Sequence, residues 1–106
     1  MDAQVRKIAR QYRKNLEAMG LAVSRILVFG SQADGQTKAE SDIDLVVISD
    51  GFAGLSLWDK ASLLGRARRE ITCAMDILGI TEKEADESEP GSFLRQEVLA
   101  KATRVA

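Results

Sequence analysis

The chain has 106 residues, 45% of them apolar and 29% charged, with a formal net charge of −1. That balance excludes a disordered chain, and the near-neutral charge supplies no global field for nucleic acid or membrane. One cysteine and no histidine exclude an intrachain disulfide, a Ser–His or Cys–His nucleophile pair and the usual zinc sites.

The length fits a single domain over residues 1–106. The opening segment predicts an amphipathic helix, with Val5, Ile8, Ala9, Tyr12, Leu16 and Met19 at helical spacing and Arg6, Lys7, Arg10, Arg13 and Lys14 between them. Gly20 stands where a helix C′ residue is expected. The charged start is no secretory leader, and no apolar run reaches the roughly 20 residues of a membrane span. With the lone Cys73, this fits a reducing, cytoplasmic setting.

Val23 to Phe29 reads as a strand covered on both faces, because Ile26-Leu27-Val28-Phe29 is continuously apolar. Residues 30–41 are small and polar, a loop whose start can form one helical turn. Ser41-Asp42-Ile43-Asp44 then leads into a second buried strand, Leu45 to Ile48. Gly51 and Gly54 mark a turn. Ser56 and Asp59 form a capping box for a helix with apolar positions Trp58, Ala61, Leu64, Ala67 and Ile71. This assigns Trp58 to packing and leaves Arg66, Arg68 and Arg69 on a solvated face. Ala74 to Ile80 is the third strand and contains Asp76; Cys73 before it reads as a small buried apolar residue. Residues 81–89 are acidic and read as solvated and mobile, or as a short helix capped by Thr81 and Glu84. Pro90-Gly91 stops it, and Phe93, Leu94, Val98, Leu99 and Ala102 predict a closing helix. The loop between the first two strands is short for a parallel crossover. The expectation is a small mixed sheet packed with helices, an α+β fold.

Three carboxylates carry the chemistry. Asp42 and Asp44 stand two residues apart at the start of a strand, and alternate strand residues share one face. Asp76 sits between Met75 and Ile77, where an acidic side chain costs free energy unless something compensates it. Magnesium prefers hard oxygen ligands and commonly takes one or two carboxylates together with substrate phosphates. The plain alternatives are a turn and strand cap for Asp42 and Asp44, and a water-facing edge residue for Asp76. Upstream, Gly30 lets backbone approach a phosphate closely, and Ser31 offers a hydroxyl beside backbone N–H groups. Ser31 can equally cap the turn that follows the strand.

Gly30-Ser31, ten residues, then Asp42-Ile43-Asp44 resembles the G-S-x₁₀-D-x-D signature of the polymerase-β-like nucleotidyltransferase superfamily. The small size resembles its minimal nucleotidyltransferase branch, and Asp76 matches the third carboxylate by context. The resemblance implies that Asp42, Asp44 and Asp76 are catalytic and bind two Mg²⁺ ions. It implies that Gly30 and Ser31 hold the β- and γ-phosphates of a nucleoside triphosphate, with ATP as donor. An acceptor hydroxyl then attacks the α-phosphorus in line and pyrophosphate leaves. The chain departs from the branch at Gln32 and Asp34, where arginines are usual; Gly35 fits, and Lys38 is a nearby cation.

The resemblance also implies a setting. Minimal nucleotidyltransferases commonly pair with a small helical HEPN toxin, and act as antitoxin by AMP transfer to a tyrosine of that partner. A domain this small needs an acceptor surface from such a partner or from a second copy. The alternative is an antitoxin or scaffold that neutralises by binding alone, with weak or lost chemistry, as Gln32 and Asp34 would allow. Transfer to a small-molecule hydroxyl is poorer, since no pocket-building segment is evident. Direct nucleic-acid binding is not expected, because no basic channel with aromatic platforms is present.

Overall fold

The computed structural model describes residues 3–29, 43–87 and 103–106. Helix α1 (Ala3–Ala18) buries Val5, Ala9, Tyr12, Asn15 and Leu16. Those positions repeat at the period that keeps one helix face toward a core. Its end is a Schellman turn: Gly20 N–H donates to Glu17 O at 3.0 Å and Leu21 N–H to Leu16 O at 3.1 Å. Gly20 adopts φ +92°, which glycine enters without a Cβ penalty. Leu16 and Leu21 both join the core, completing the apolar contact typical of this cap.

Strand β1 (Arg25–Phe29) pairs antiparallel with β2 (Ile43–Ile48), as the short connection requires. A 3₁₀ turn (Asp50–Phe52) follows, then α2 (Leu57–Arg66) and β3 (Met75–Ile80). β2, α2 and β3 form a βαβ unit, so β3 runs parallel to β2. Helix α3 (Glu82–Glu87) comes next, and a two-residue strand β4 (Thr103–Arg104) pairs antiparallel with β1. The sheet order is β3-β2-β1-β4, which makes β3 an edge strand among the described residues. The mixed sheet is the expected one; β4 is an addition, too short for any sequence pattern to mark. The closing helix expected over Phe93 to Ala102 lies outside the described residues.

The two sheet faces differ. One carries Ile26, Val28, Ile43, Leu45, Val47 and Met75, packed beneath α1 and α2. The other carries Leu27, Val46, Ile48 and Ile80, with Ala85 of α3 upon them. Both box caps form: Asp59 N–H donates to Ser56 Oγ at 3.0 Å, and Glu84 N–H to Thr81 Oγ1 at 3.1 Å. The latter is reciprocal, since Thr81 N–H donates to a Glu84 carboxylate oxygen at 3.1 Å.

Two expectations need correction. Trp58 is not packed but 82% exposed. Of the expected apolar positions Leu64 and Ala67 are buried and Ile71 packs against the core, whereas Trp58 and Ala61 are exposed and Leu63 lies beside Leu64 instead. Of the two readings of the acidic stretch, residues 82–87 take the short helix capped by Thr81 and Glu84 and not the solvated, mobile one: Ala85 is buried, Arg25 reaches Glu82 at 3.3 Å, and Glu82 N–H donates to Asp50 at 3.2 Å. Cys73 is half-buried against the core. No described helix is long and apolar enough to cross a membrane.

Candidate active site

The βαβ unit decides where the carboxylates go. In the β2–β3 ladder Asp44 is the register partner of Asp76. Register partners on adjacent strands lie about 4.8 Å apart and point to the same face. That face is the one with Val46, Ile48 and Ile80, opposite α1 and α2. Asp44 is half-buried and Asp76 exposed. Phe29, the residue before Gly30, is in turn the β1 partner of Asp44. Phe29, Asp44 and Asp76 therefore form a row across three strands. Asp42, Gly30 and Ser31 lie outside the described residues.

Asp76 interrupts the apolar pattern of β3 without being buried. Its strand is at the edge, and its side chain is on the face that α2 does not cover. The desolvation cost inferred from its apolar neighbours is avoided in this way. The donor set fits a hard divalent cation: two carboxylates abreast are the number that Mg²⁺ commonly takes from protein. Among the described residues no group of three or more metal-binding side chains forms.

Beside Asp76 runs a groove of about 350 Å³ between α2 and the outer edge of β3. Lys60 Nζ donates to Gly79 O at 2.8 Å, and Arg68 Nη2 donates to Met75 O at 2.9 Å. Arg68, read from sequence as part of a solvated face, is exposed but tied to the strand. Neither cation was legible as part of the site. The available signal is their spacing: Lys60, Leu64 and Arg68 recur every four residues, along one side of the helix. Gly79 belongs to the same packing, since a Cβ there would come within 2.9 Å of the Phe52 ring and 3.2 Å of Leu64.

The position of the whole unit depends on α1. Tyr12 Oη donates to Leu64 O at 2.7 Å. Asn15 Nδ2 donates to Ala67 O at 2.9 Å and Arg69 O at 3.0 Å. These carbonyls close α2, where intrahelical partners run out. Tyr12 is fully buried, and burial pushes its phenol well above its ordinary pKa.

A mixed sheet of this order, with two acidic residues abreast in its parallel pair, has the α+β architecture of the polymerase-β-like nucleotidyltransferases. The chain belongs to the nucleotidyltransferase domain family, whose profile matches residues 6–102. It superposes on a Sulfolobus solfataricus protein described provisionally as a nucleotidyltransferase, with TM-score 0.67 and 19% identity over 95% of this chain and 78% of the other. A toxin–antitoxin complex with AMP-PNP gives TM-score 0.64 at 18% identity, covering 92% of this chain and 72% of that one. A toxin–antitoxin complex named MntA–HpeT, with two aspartates changed to glutamate, gives 0.62 at 16%, with 92% and 72% covered. No curated protein matches the sequence.

Proposed function

We propose that this chain transfers a nucleoside monophosphate from a nucleoside triphosphate, ATP by preference, to a hydroxyl on a protein partner. The observation that carries the reading is the shared register of Asp44 and Asp76 on one sheet face. Family membership supports nucleotide transfer as the reaction class.

Asp42, Asp44 and Asp76 would hold divalent magnesium. When bound, that cation neutralises triphosphate charge and makes the acceptor hydroxyl more acidic. Gly30 and Ser31 hold the β- and γ-phosphates through backbone N–H groups and the Ser31 hydroxyl. Asp76, exposed where Asp44 is half-buried, takes the proton of the acceptor hydroxyl. The acceptor oxygen forms a bond to the α-phosphorus as the bond from that phosphorus to the bridging oxygen breaks. Pyrophosphate leaves with the electron pair. AMP-PNP in one structural neighbour supports ATP as donor, and the toxin–antitoxin neighbours support an antitoxin role. The resemblance carried by Gly30-Ser31 and Asp42-Ile43-Asp44 extends that reading to a helical HEPN toxin with a tyrosine as acceptor.

The test is incorporation of label from α-³²P-ATP into a co-expressed partner. Wild type should label it, and Asp44→Asn or Asp76→Asn should reduce labelling about 100-fold or more. Equal labelling by the variants refutes the assignment. Gln32 and Asp34, which stand where the branch that the chain resembles often has arginine, motivate a second reading: neutralisation by complex formation alone. Under it, partner inhibition survives the loss of both aspartates and needs no ATP.

A further inference from the structure

The outer edge of β3 is built to receive a strand. Backbone groups of successive strand residues point alternately to either side. Ala74 O and Ile80 O accept from β2, from Ile43 N–H at 3.0 Å and Ser49 N–H at 2.9 Å. Residues 75, 77 and 79 therefore point outward. The carbonyls of Met75 and Gly79 meet Arg68 and Lys60 there. Between these two cations the N–H and C=O of Ile77 face outward. No described strand pairs with this edge.

We propose that this edge docks the acceptor polypeptide as a short added strand, paired to Ile77, and so delivers its hydroxyl to Asp76. The proposal rests on the nucleotidyl-transfer reading and names the substrate class for it. An incoming residue opposite Ile77 points toward α2, into the groove walled by Leu57, Ala61 and Leu64. The residue opposite Asp76 points to the other face, the one shared by Asp44 and Asp76. A hydroxyl-bearing side chain at that register lies beside the carboxylates. The residue on the far side of the apolar one meets Leu78, itself 39% exposed.

Charge identifies the flanks. Lys60 and Arg68 stand at the two ends of the window. The occupant is therefore an extended segment with a hydroxyl residue next to an apolar one and acidic residues outside them. Main-chain pairing supplies affinity, and alternate side chains supply selection.

The test uses the whole chain, ¹⁵N-labelled, and the synthetic peptide Glu-Glu-Tyr-Val-Tyr-Glu-Glu, whose symmetry makes strand direction immaterial. Without nucleotide, peptide should slow hydrogen exchange of the Ile77 N–H about tenfold or more as the edge is paired. Lys60→Glu with Arg68→Glu should weaken binding about tenfold. Leu57→Asp should weaken it as well, and since Leu57 is 80% exposed its loss leaves the core intact. With ATP and Mg²⁺ the peptide should gain the mass of one nucleotide. Protection without that mass supports the docking edge and refutes the transfer reading alone. Transfer without protection, undiminished by Leu57→Asp, refutes the docking edge alone. No protection at millimolar peptide also refutes it, because main-chain pairing tolerates sequence. A dimer that protects Ile77 without peptide assigns the edge to a second copy and overturns the acceptor proposal.

Discussion

Tyr12→Phe isolates one hydrogen bond on which the βαβ unit depends. The ring stays and no cavity opens, while Leu64 O loses its 2.7 Å donor. A carbonyl left buried without a partner costs about 1–3 kcal/mol. Asn15→Leu removes two donations, to Ala67 O and Arg69 O, and should cost about 2–4 kcal/mol on the same scale. Urea unfolding followed by circular dichroism measures both as a fall in midpoint at constant slope. Each kcal/mol should lower Tm by about 4–8 °C. Because both residues close the same helix end, the double variant should be non-additive by about 0.5 kcal/mol or more. The pH dependence follows with a definite sign. Burial raises the Tyr12 phenol above its ordinary 10.0, and the Arg68 charge offsets this by less. The native state therefore holds that proton more tightly than the unfolded chain. Its contribution is complete below about pH 10 and is lost as pH rises beyond it. Tyr12→Phe should lack that component of the alkaline loss. A variant as stable as wild type at pH 7, with an unchanged alkaline slope, would refute the reasoning.

Other substitutions test other parts. Gly79→Val should destabilise by about 1–3 kcal/mol through overpacking against Phe52 and Leu64, read by thermal melting. The same shift of β3 should lower transfer activity, since that strand carries Asp76. Gly20→Ala should cost about 1–2 kcal/mol, because φ +92° burdens any Cβ, and chemical denaturation measures it. Thr81→Ala removes the cap of α3 and should cost about 0.5–2 kcal/mol, with faster amide exchange at Glu84, whose N–H loses its acceptor. Glu82→Gln should change stability by under about 1 kcal/mol, since the Arg25 pair is partly solvated.

Much of the fold is written locally. The face of α1, its glycine stop, both capping boxes and the apolar runs of β1 and β2 each depend on residues within a few positions of one another. Short-range sterics and hydrogen bonding decide such features, so they can be read along the chain. Asp76 was legible as an anomaly for the same reason, an acid in an apolar strand.

The inward face of α2 was legible at Leu64 and Ala67, with Ile71 beyond it, but not at its start. Trp58 and Ala61 continue the same apolar spacing, so period alone places them inward too, whereas both are exposed. What selects Leu64 and Ala67 is contact with the core and with Tyr12 and Asn15, about fifty residues earlier. The place of Lys60 and Arg68 at the strand edge was likewise decided by tertiary contact. β4 exists only because β1 offers it a free side; two residues carry no period of their own.

Residue types, spacing and local caps thus determined which elements form and which acids stand out. The register that sets Asp44 beside Asp76 was decided by strands 32 positions apart in pairing. A ladder joins backbone groups irrespective of their distance in sequence, so only the folded sheet, with its helix packed on one side, could choose that alignment.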